Sequence, residues 1–292
     1  MHGLLRGYQL KEDSLLAQTR RALRRSGHRA KKALGQHFLI DETVLPLITA
    51  AAELTALDTV IEVGPGLGAL TRELARTAGR VIAVEMDDSL SASLRQSLAP
   101  LGNVSILNRD ILQVNPADLL PPDSSYKVAA NLPYYITAPV LRHFLEATPR
   151  PATMVVMVQK EVAETIAAPP GRCTLLSVSV QFYGEPSIIS RVPAAAFYPE
   201  PEVDSAILKI KPHPRPAVAV TDEKDFFRLV RAGFTAPRKQ LVNSLAQGLQ
   251  LSKDGVLPVL KRASIAPQRR AETLTLEEWA ELWQASRSGE TE

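Results

Sequence analysis

The chain has 292 residues, 45% of them apolar, which allows one large core plus a smaller appended unit. Its one cysteine, Cys173, excludes an internal disulfide and fits a reducing compartment, so a cytoplasmic protein is expected. The net charge of +3 conceals basic blocks at 1–40 (+7) and 209–270 (+9) around an acidic 41–208 (−8), before a last acidic stretch at 271–292 (−5). That pattern suits a polyanion, RNA or DNA, held by flanking elements.

In chain order, Leu15 to Arg25 has helical spacing, with arginines beside Leu15, Leu16 and Leu23; it reads as a basic amphipathic helix. The Arg-rich N-terminus lacks the apolar centre of a signal peptide, and Glu12 and Asp13 argue against a transit peptide. Lys31 to Leu39 reads as a loop, and Asp41 as the N-cap of a helix through Leu54. Strands are predicted at Thr59–Val63, Val81–Val84, Val104–Leu107, Tyr126–Ala130 and Thr153–Val158. Between them lie helices to about Ala78, over Ser89–Leu98 and over Ala138–Ala147. This alternation predicts a doubly wound, Rossmann-like α/β fold, a parallel sheet with helices on both faces. Leu175–Phe182 and Ile188–Val192 are apolar segments, and Ser205–Ile210 is a further strand. The cluster Lys211 to Pro216 breaks the chain as a linker. Four helices follow, at Glu223–Phe234, Arg238–Leu249, Lys253–Arg262 and Leu276–Ala285. The domain reading is a basic extension at 1–30, an α/β domain at 31–211 and a small all-helical domain at 217–286. No run approaches the roughly 18 apolar residues of a membrane span.

Glu62-Val63-Gly64-Pro65-Gly66-Leu67-Gly68 falls where the first strand turns into a helix. Glycines there let the backbone approach a ligand closely. Glu85 ends the next strand about twenty residues on, a position suited to the hydroxyls of an adenosine ribose. A dinucleotide needs its pyrophosphate at this turn, and Glu62 is awkward beside one. The same acid suits a sulfonium and an ammonium, so S-adenosylmethionine is favoured over NAD. Asp110, at the end of the third strand, is either an acceptor for the cofactor's adenine amino group or a cap for the segment starting at Ile111.

Asn131-Leu132-Pro133-Tyr134 follows the fourth strand. An adenine N6 lone pair is delocalised into the ring, so a catalyst must draw the amino group toward sp³ geometry and align it with a methyl–sulfur bond. The Asn131 side-chain oxygen and the Leu132 carbonyl can do so as converging acceptors. Pro133 stiffens the turn, and Tyr134 offers a flat face to a base swung out of its strand. Most of the rate gain would come from positioning. Tyr135 is either a second aromatic of this pocket or core. His2, His28, His37, His143 and His213 show no metal-ligand spacing, no Ser-His-Asp or P-loop pattern is legible, and Cys173 reads as structural.

Lys32 to Leu39, Glu62 to Gly68, Asn131-Leu132-Pro133-Tyr134-Tyr135 and Phe197 to Ser205 stand in one order. With them the chain resembles the small-subunit ribosomal RNA adenine N6,N6-dimethyltransferases, the kasugamycin-sensitivity methyltransferase family, over about residues 15 to 285. The resemblance implies a methyltransferase domain with a helical C-terminal RNA-binding domain. It implies dimethylation of two adjacent adenines in the 3′-terminal hairpin loop of small-subunit (16S) rRNA, with S-adenosylmethionine as donor and the immature 30S subunit as partner, by a monomer without membrane attachment. Cofactor contacts would fall on His37, Leu39, Gly64, Gly66, Glu85, Asp110 and Asn131. His37 stands where the family often has Asn. The target base would be held by Asn131, Leu132 and Tyr134, and closed by Phe197, for which an ordinary core aromatic is the equal alternative. Large-subunit relatives that confer macrolide resistance share the cofactor motifs; the Leu-Gly-Gln-x-Phe-Leu opening and the basic helical C-terminus favour the small subunit. A non-catalytic assembly factor and a DNA adenine methyltransferase are the rival readings. The second would need a larger sequence-reading domain.

Overall fold

The computed structural model describes residues 14–26, 36–122 and 124–288. The first helix, α1 (Leu15–Ser26), forms over the expected stretch, with Arg24 and Arg25 in its last turn, where cations complement the carbonyl end. Lys31 to Gly35 of the expected loop lie outside the described residues. Phe38–Leu39 is not loop but a short strand, β1. Asp41 does not cap the next helix, α2 (Val44–Ala51). Its carboxylate accepts from the Thr43 N–H at 2.9 Å and hydroxyl at 2.7 Å, so it makes its own turn one step early.

The α/β alternation then appears as expected: β2 (Thr59–Val63), α3 (Ala69–Thr77), β3 (Arg80–Glu85), α4 (Asp88–Leu98), β4 (Val104–Asn108), β5 (Lys127–Asn131), α5 (Thr137–Leu145) and β6 (Thr153–Gln159). Asp87 caps α4 by accepting from the Ser89 and Leu90 N–H groups. After β6 the chain adds α6 (Lys160–Ile166), which had no sequence signal of its own, and α7 (Leu175–Tyr183). The α7 segment is buried on most sides, which erases helical periodicity, and its start is fixed by a capping box between Thr174 and Ser177. Three strands follow: β7 (Gly184–Val192), β8 (Phe197–Tyr198) and β9 (Ser205–Pro212). Lys211 and Pro212 therefore finish a strand, and the break in regular structure begins after them.

The main sheet has seven strands in the order β4-β3-β2-β5-β6-β9-β7. Six strands run in one direction, and β9 alone is reversed, antiparallel to both of its neighbours β6 and β7. The five alternating strands form the expected parallel sheet, and the later β9 joins it antiparallel; no α-helix separates it from β7. β1 pairs with β8 as a separate ribbon, Leu39 opposite Phe197. The strand order reverses at β2 and β5, whose Val63 and Ala130 lie side by side, so Gly64 and Asn131 leave the sheet together. In open α/β sheets that reversal is where ligands bind.

Both sheet faces are covered. One apolar cluster joins α2, α3 and Phe197 to one face, and Leu15 of α1 packs on it. The other runs through α5 and α7 into α8 (Glu223–Gly233), α9 (Leu241–Leu249), α10 (Lys253–Arg262) and α11 (Leu276–Arg287). Phe182 of α7 stacks on Phe226 of α8 with centroids 5.1 Å apart. At Gly248 a Cβ would lie 2.5 Å from the Ala232 Cα, so only glycine lets α8 and α9 approach this closely.

Candidate functional site

A cavity of about 380 Å³ opens at the carboxyl ends of β2, β3, β4 and β5, within the size range of small-molecule sites. The turn after β2 forms its floor. Gly64 and Gly66 hold positive φ angles of 65° and 59°. The Gly64 N–H donates to the Val84 carbonyl at 3.0 Å, and a Cβ at Gly66 would meet the Phe38 ring at 3.1 Å. Glu85 ends β3 and is 5% exposed. One carboxylate oxygen accepts from the Gly66 N–H at 3.2 Å and the other from the Asp87 N–H at 2.9 Å. Burial pushes its acid up from the ordinary range, and those two backbone donors oppose the shift.

Glu62 lies behind the same turn and is 1% exposed. Neither its Oε2 nor the Thr71 hydroxyl has a hydrogen-bond partner of ordinary geometry among the described residues. Burial drives its pKa up to about 8; the nearby Thr71 hydroxyl opposes the shift and the Glu85 charge adds to it. A buried, unpartnered carboxyl beside a cavity is suited to a cationic group.

The opposite wall is the turn after β5. Asn131 Nδ2 donates to the His37 carbonyl at 3.1 Å, which leaves the side-chain oxygen as an acceptor. The Leu132 side chain is buried at 1% exposure, and its N–H donates to the Met157 carbonyl at 3.1 Å. The Tyr134 ring stacks on the His37 ring, centroids 5.7 Å apart. Its hydroxyl shares a hydrogen bond of 2.8 Å with Ser205 at the start of β9, and burial raises its pKa. His37 Nδ1 donates to the Pro199 carbonyl at 2.6 Å. The Phe197–Ser205 stretch therefore braces the Asn131–Tyr134 turn through both of these aromatic rings.

His37, Leu39, Gly64, Gly66, Glu85, Asp110, Asn131, Leu132 and Tyr134 all line this one cavity. Asp110 lines the cavity and also caps the following turn, accepting from the Leu112 N–H at 3.0 Å. Tyr135 lines the cavity and is not core. Phe197 is the exception. It is 2% exposed in the core cluster under α2 and does not line the cavity, because pairing with Leu39 in the β1–β8 ribbon turns it inward. Cys173 is buried, its thiol donating to the Ala168 carbonyl at 3.6 Å, as a structural residue would. Sequence reasoning missed Ser205, and also Thr19, a buried polar residue of α1 that lines the cavity. A threonine on the apolar side of a basic helix was the one signal available for the second.

Glycines that admit a ligand to the backbone, a buried acid ending β3 at Glu85 and a buried acid at Glu62 fit an adenosine cofactor bearing a cationic end. Fold and site together define a Rossmann-like S-adenosylmethionine-dependent methyltransferase. The family model for ribosomal RNA adenine dimethylase matches residues 27–285, and the chain belongs to that family. A ribosomal RNA small subunit methyltransferase A of Dehalococcoides mccartyi is 54% identical over 269 residues, covering 92% of this chain and 92% of that one. Another, of Pelotomaculum thermopropionicum, is 47% identical over 279 residues, covering 91% and 94%. Among solved structures, the 23S rRNA methyltransferase ErmE is 29% identical with a TM-score of 0.66, covering 85% of this chain and 98% of that one. A dimethyladenosine transferase of Plasmodium falciparum, 23% identical, shares the fold with a TM-score of 0.72 over 87% and 98%. No helix among the described residues is long and apolar enough to cross a membrane.

Proposed function

We propose that the protein dimethylates N6 of two adjacent adenines in the 3′-terminal hairpin loop of small-subunit (16S) rRNA, acting on the immature 30S subunit as a cytoplasmic monomer. In this reading residues 31–211 form the methyltransferase domain, 217–286 a helical RNA-binding domain and 1–30 a basic extension. The observation that carries the proposal is the Asn131–Tyr134 turn, standing across one cavity from Glu62, Glu85 and the glycine turn.

His37, Leu39, Gly64, Gly66, Glu85, Asp110 and Asn131 would hold the cofactor, which supplies the activated methyl group when bound. The protein's own part is positional. Asn131 Oδ1, set by the bond from Nδ2 to His37, and the Leu132 carbonyl accept from the target amino group and pull it out of conjugation. Tyr134 gives the base a flat wall on the face that His37 leaves open. Fixed groups that need no rearrangement lower the barrier by alignment. Phe197, buried under α2, supports the ribbon behind the site rather than the base.

The experiment is incubation with methyl-labelled cofactor and undermethylated small subunits, then mapping of the modified nucleotides. Label on two adjacent small-subunit adenines is expected; label on large-subunit RNA would transfer the assignment to the resistance-type reaction. Asn131→Ala should lower turnover about a hundredfold or more, as for loss of a key polar group in an active site, with cofactor affinity only partly reduced. Near-normal turnover would remove Asn131 from this role.

A further inference from the structure

Tyr135 has no explanation in the core. It is 52% exposed, yet it lines the cavity. Its ring and hydroxyl have no partner among the described residues. Its neighbour Tyr134 is the opposite case, with one face against His37 and its hydroxyl held by Ser205. Both sit on one short turn, Tyr134–Ile136. That turn is fixed at both ends: the Ile136 N–H donates to the Pro133 carbonyl at 3.1 Å, and the Thr137 N–H donates to the Tyr134 carbonyl.

From this contrast we propose that Tyr135 is the stacking platform for the nucleobase next to the reacting adenine. The inference rests on the function proposed above and adds to it how the flanking nucleotide is held. Swinging one base out of a single-stranded loop strips its neighbour of a stacking partner. A half-exposed aromatic one residue from the base wall replaces that partner. A tyrosine has few rotatable bonds, so holding it in place costs little entropy. Met86 is the other exposed apolar residue lining the cavity, but it follows Glu85 on β3, at the ribose end. Tyr135 belongs to the Asn131 end.

The test compares Tyr135→Ala, Tyr135→Leu and Tyr135→Phe on undermethylated small subunits. Aromatic stacking on a base predicts a loss in kcat/KM of about tenfold for Tyr135→Ala, carried mainly by KM. Tyr135→Leu should fall between, and Tyr135→Phe should stay within about twofold of the parent, since stacking needs the ring and not the hydroxyl. Cofactor affinity by calorimetry should be unchanged in all three, which also shows that they fold. Parent-like kcat/KM for Tyr135→Ala, or equal loss for Tyr135→Phe and Tyr135→Ala, overturns the proposal. A second measurement separates it from the proposed function. An RNA hairpin loop carrying 2-aminopurine beside an adenine should lose fluorescence on binding the parent protein and much less on binding Tyr135→Ala. If the parent methylates no small-subunit RNA, the proposed function fails. The platform is then decided by this fluorescence alone, equal quenching by the two proteins refuting it.

Discussion

Glu62 has a carboxyl group almost wholly withdrawn from solvent, its Oε2 without a hydrogen-bond partner of ordinary geometry among the described residues, and the consequence is a proton it should not otherwise hold. Its pKa stands near 8, against 4.5 for the free side chain, because burial penalises the charged form. Between those values the folded protein keeps a proton that the unfolded chain has lost. Stability without cofactor should therefore fall as pH rises from about 4.5 to 8 and level off above. The span is on the order of 3–5 kcal/mol. Glu85 is shifted the same way and adds to the slope. Glu62→Gln keeps the shape and removes the titration, so its stability by urea unfolding should vary far less between pH 5 and 9. Parallel pH profiles for the two proteins would show that Glu62 ionises freely in the fold. The residue was legible in sequence, as an acid beside a glycine turn, because motif and turn are local. What was not legible is its burial, which depends on how the turn packs against α3 and the sheet, and the lack of a well-formed bond from Thr71, nine residues on.

The strands and helices that shape the cavity follow from short-range patterns, and these could be read. The elements that brace it depend on pairings across many residues, and these could not. Tyr134 and Ser205 are 71 positions apart, and His37 and Pro199 are 162 apart. No periodicity announces such pairs. The same distance hid the β1–β8 ribbon, whose two-residue strands are too short for alternation, and it is this ribbon that turns Phe197 into the core. Ser205 lies fully buried at the first position of β9, where a strand end is a firmer mount than a loop. Ser205→Ala would leave the Tyr134 hydroxyl without its partner, at a cost of about 1–3 kcal/mol in stability. Turnover should fall several-fold while cofactor affinity holds. Tyr134→Phe should fall similarly, and the double variant by less than the sum, because both changes remove one bond. Additive losses in kcat would mean that the serine acts elsewhere than through the tyrosine.

At the scale of the molecule, the described part of the N-terminal basic block, α1, and the C-terminal helices belong to different layers. Leu15 ties α1 to the apolar cluster on one sheet face, while the four C-terminal helices join the cluster on the other. An RNA touching both has to cross an edge of the sheet, and the carboxyl edge, where the cavity opens, is the path the proposed function would use. Charge asymmetry along the sequence thus pointed to a polyanion, but its spatial meaning needed the layers. Within α1 the arginines differ: the Arg20 guanidinium lies 5.2 Å from the Tyr198 ring centre, although the residue is exposed, while Arg24 and Arg25 are exposed in the last turn. In the C-terminal block, Arg238 precedes α9 and is exposed. Every phosphate that a variant no longer neutralises should reduce the slope of log K against log salt by about 0.7 to 0.9. The double change Arg24→Glu with Arg25→Glu should weaken binding to small-subunit RNA and flatten that slope by up to about two such steps. Arg238→Glu should flatten it by about one. Combined, the effects should add, since the sites share no partners among the described residues. Cofactor affinity should not change in any of these proteins. Unaltered salt slopes for one block would assign RNA binding to the other alone, and the path over the carboxyl edge would then have no second anchor.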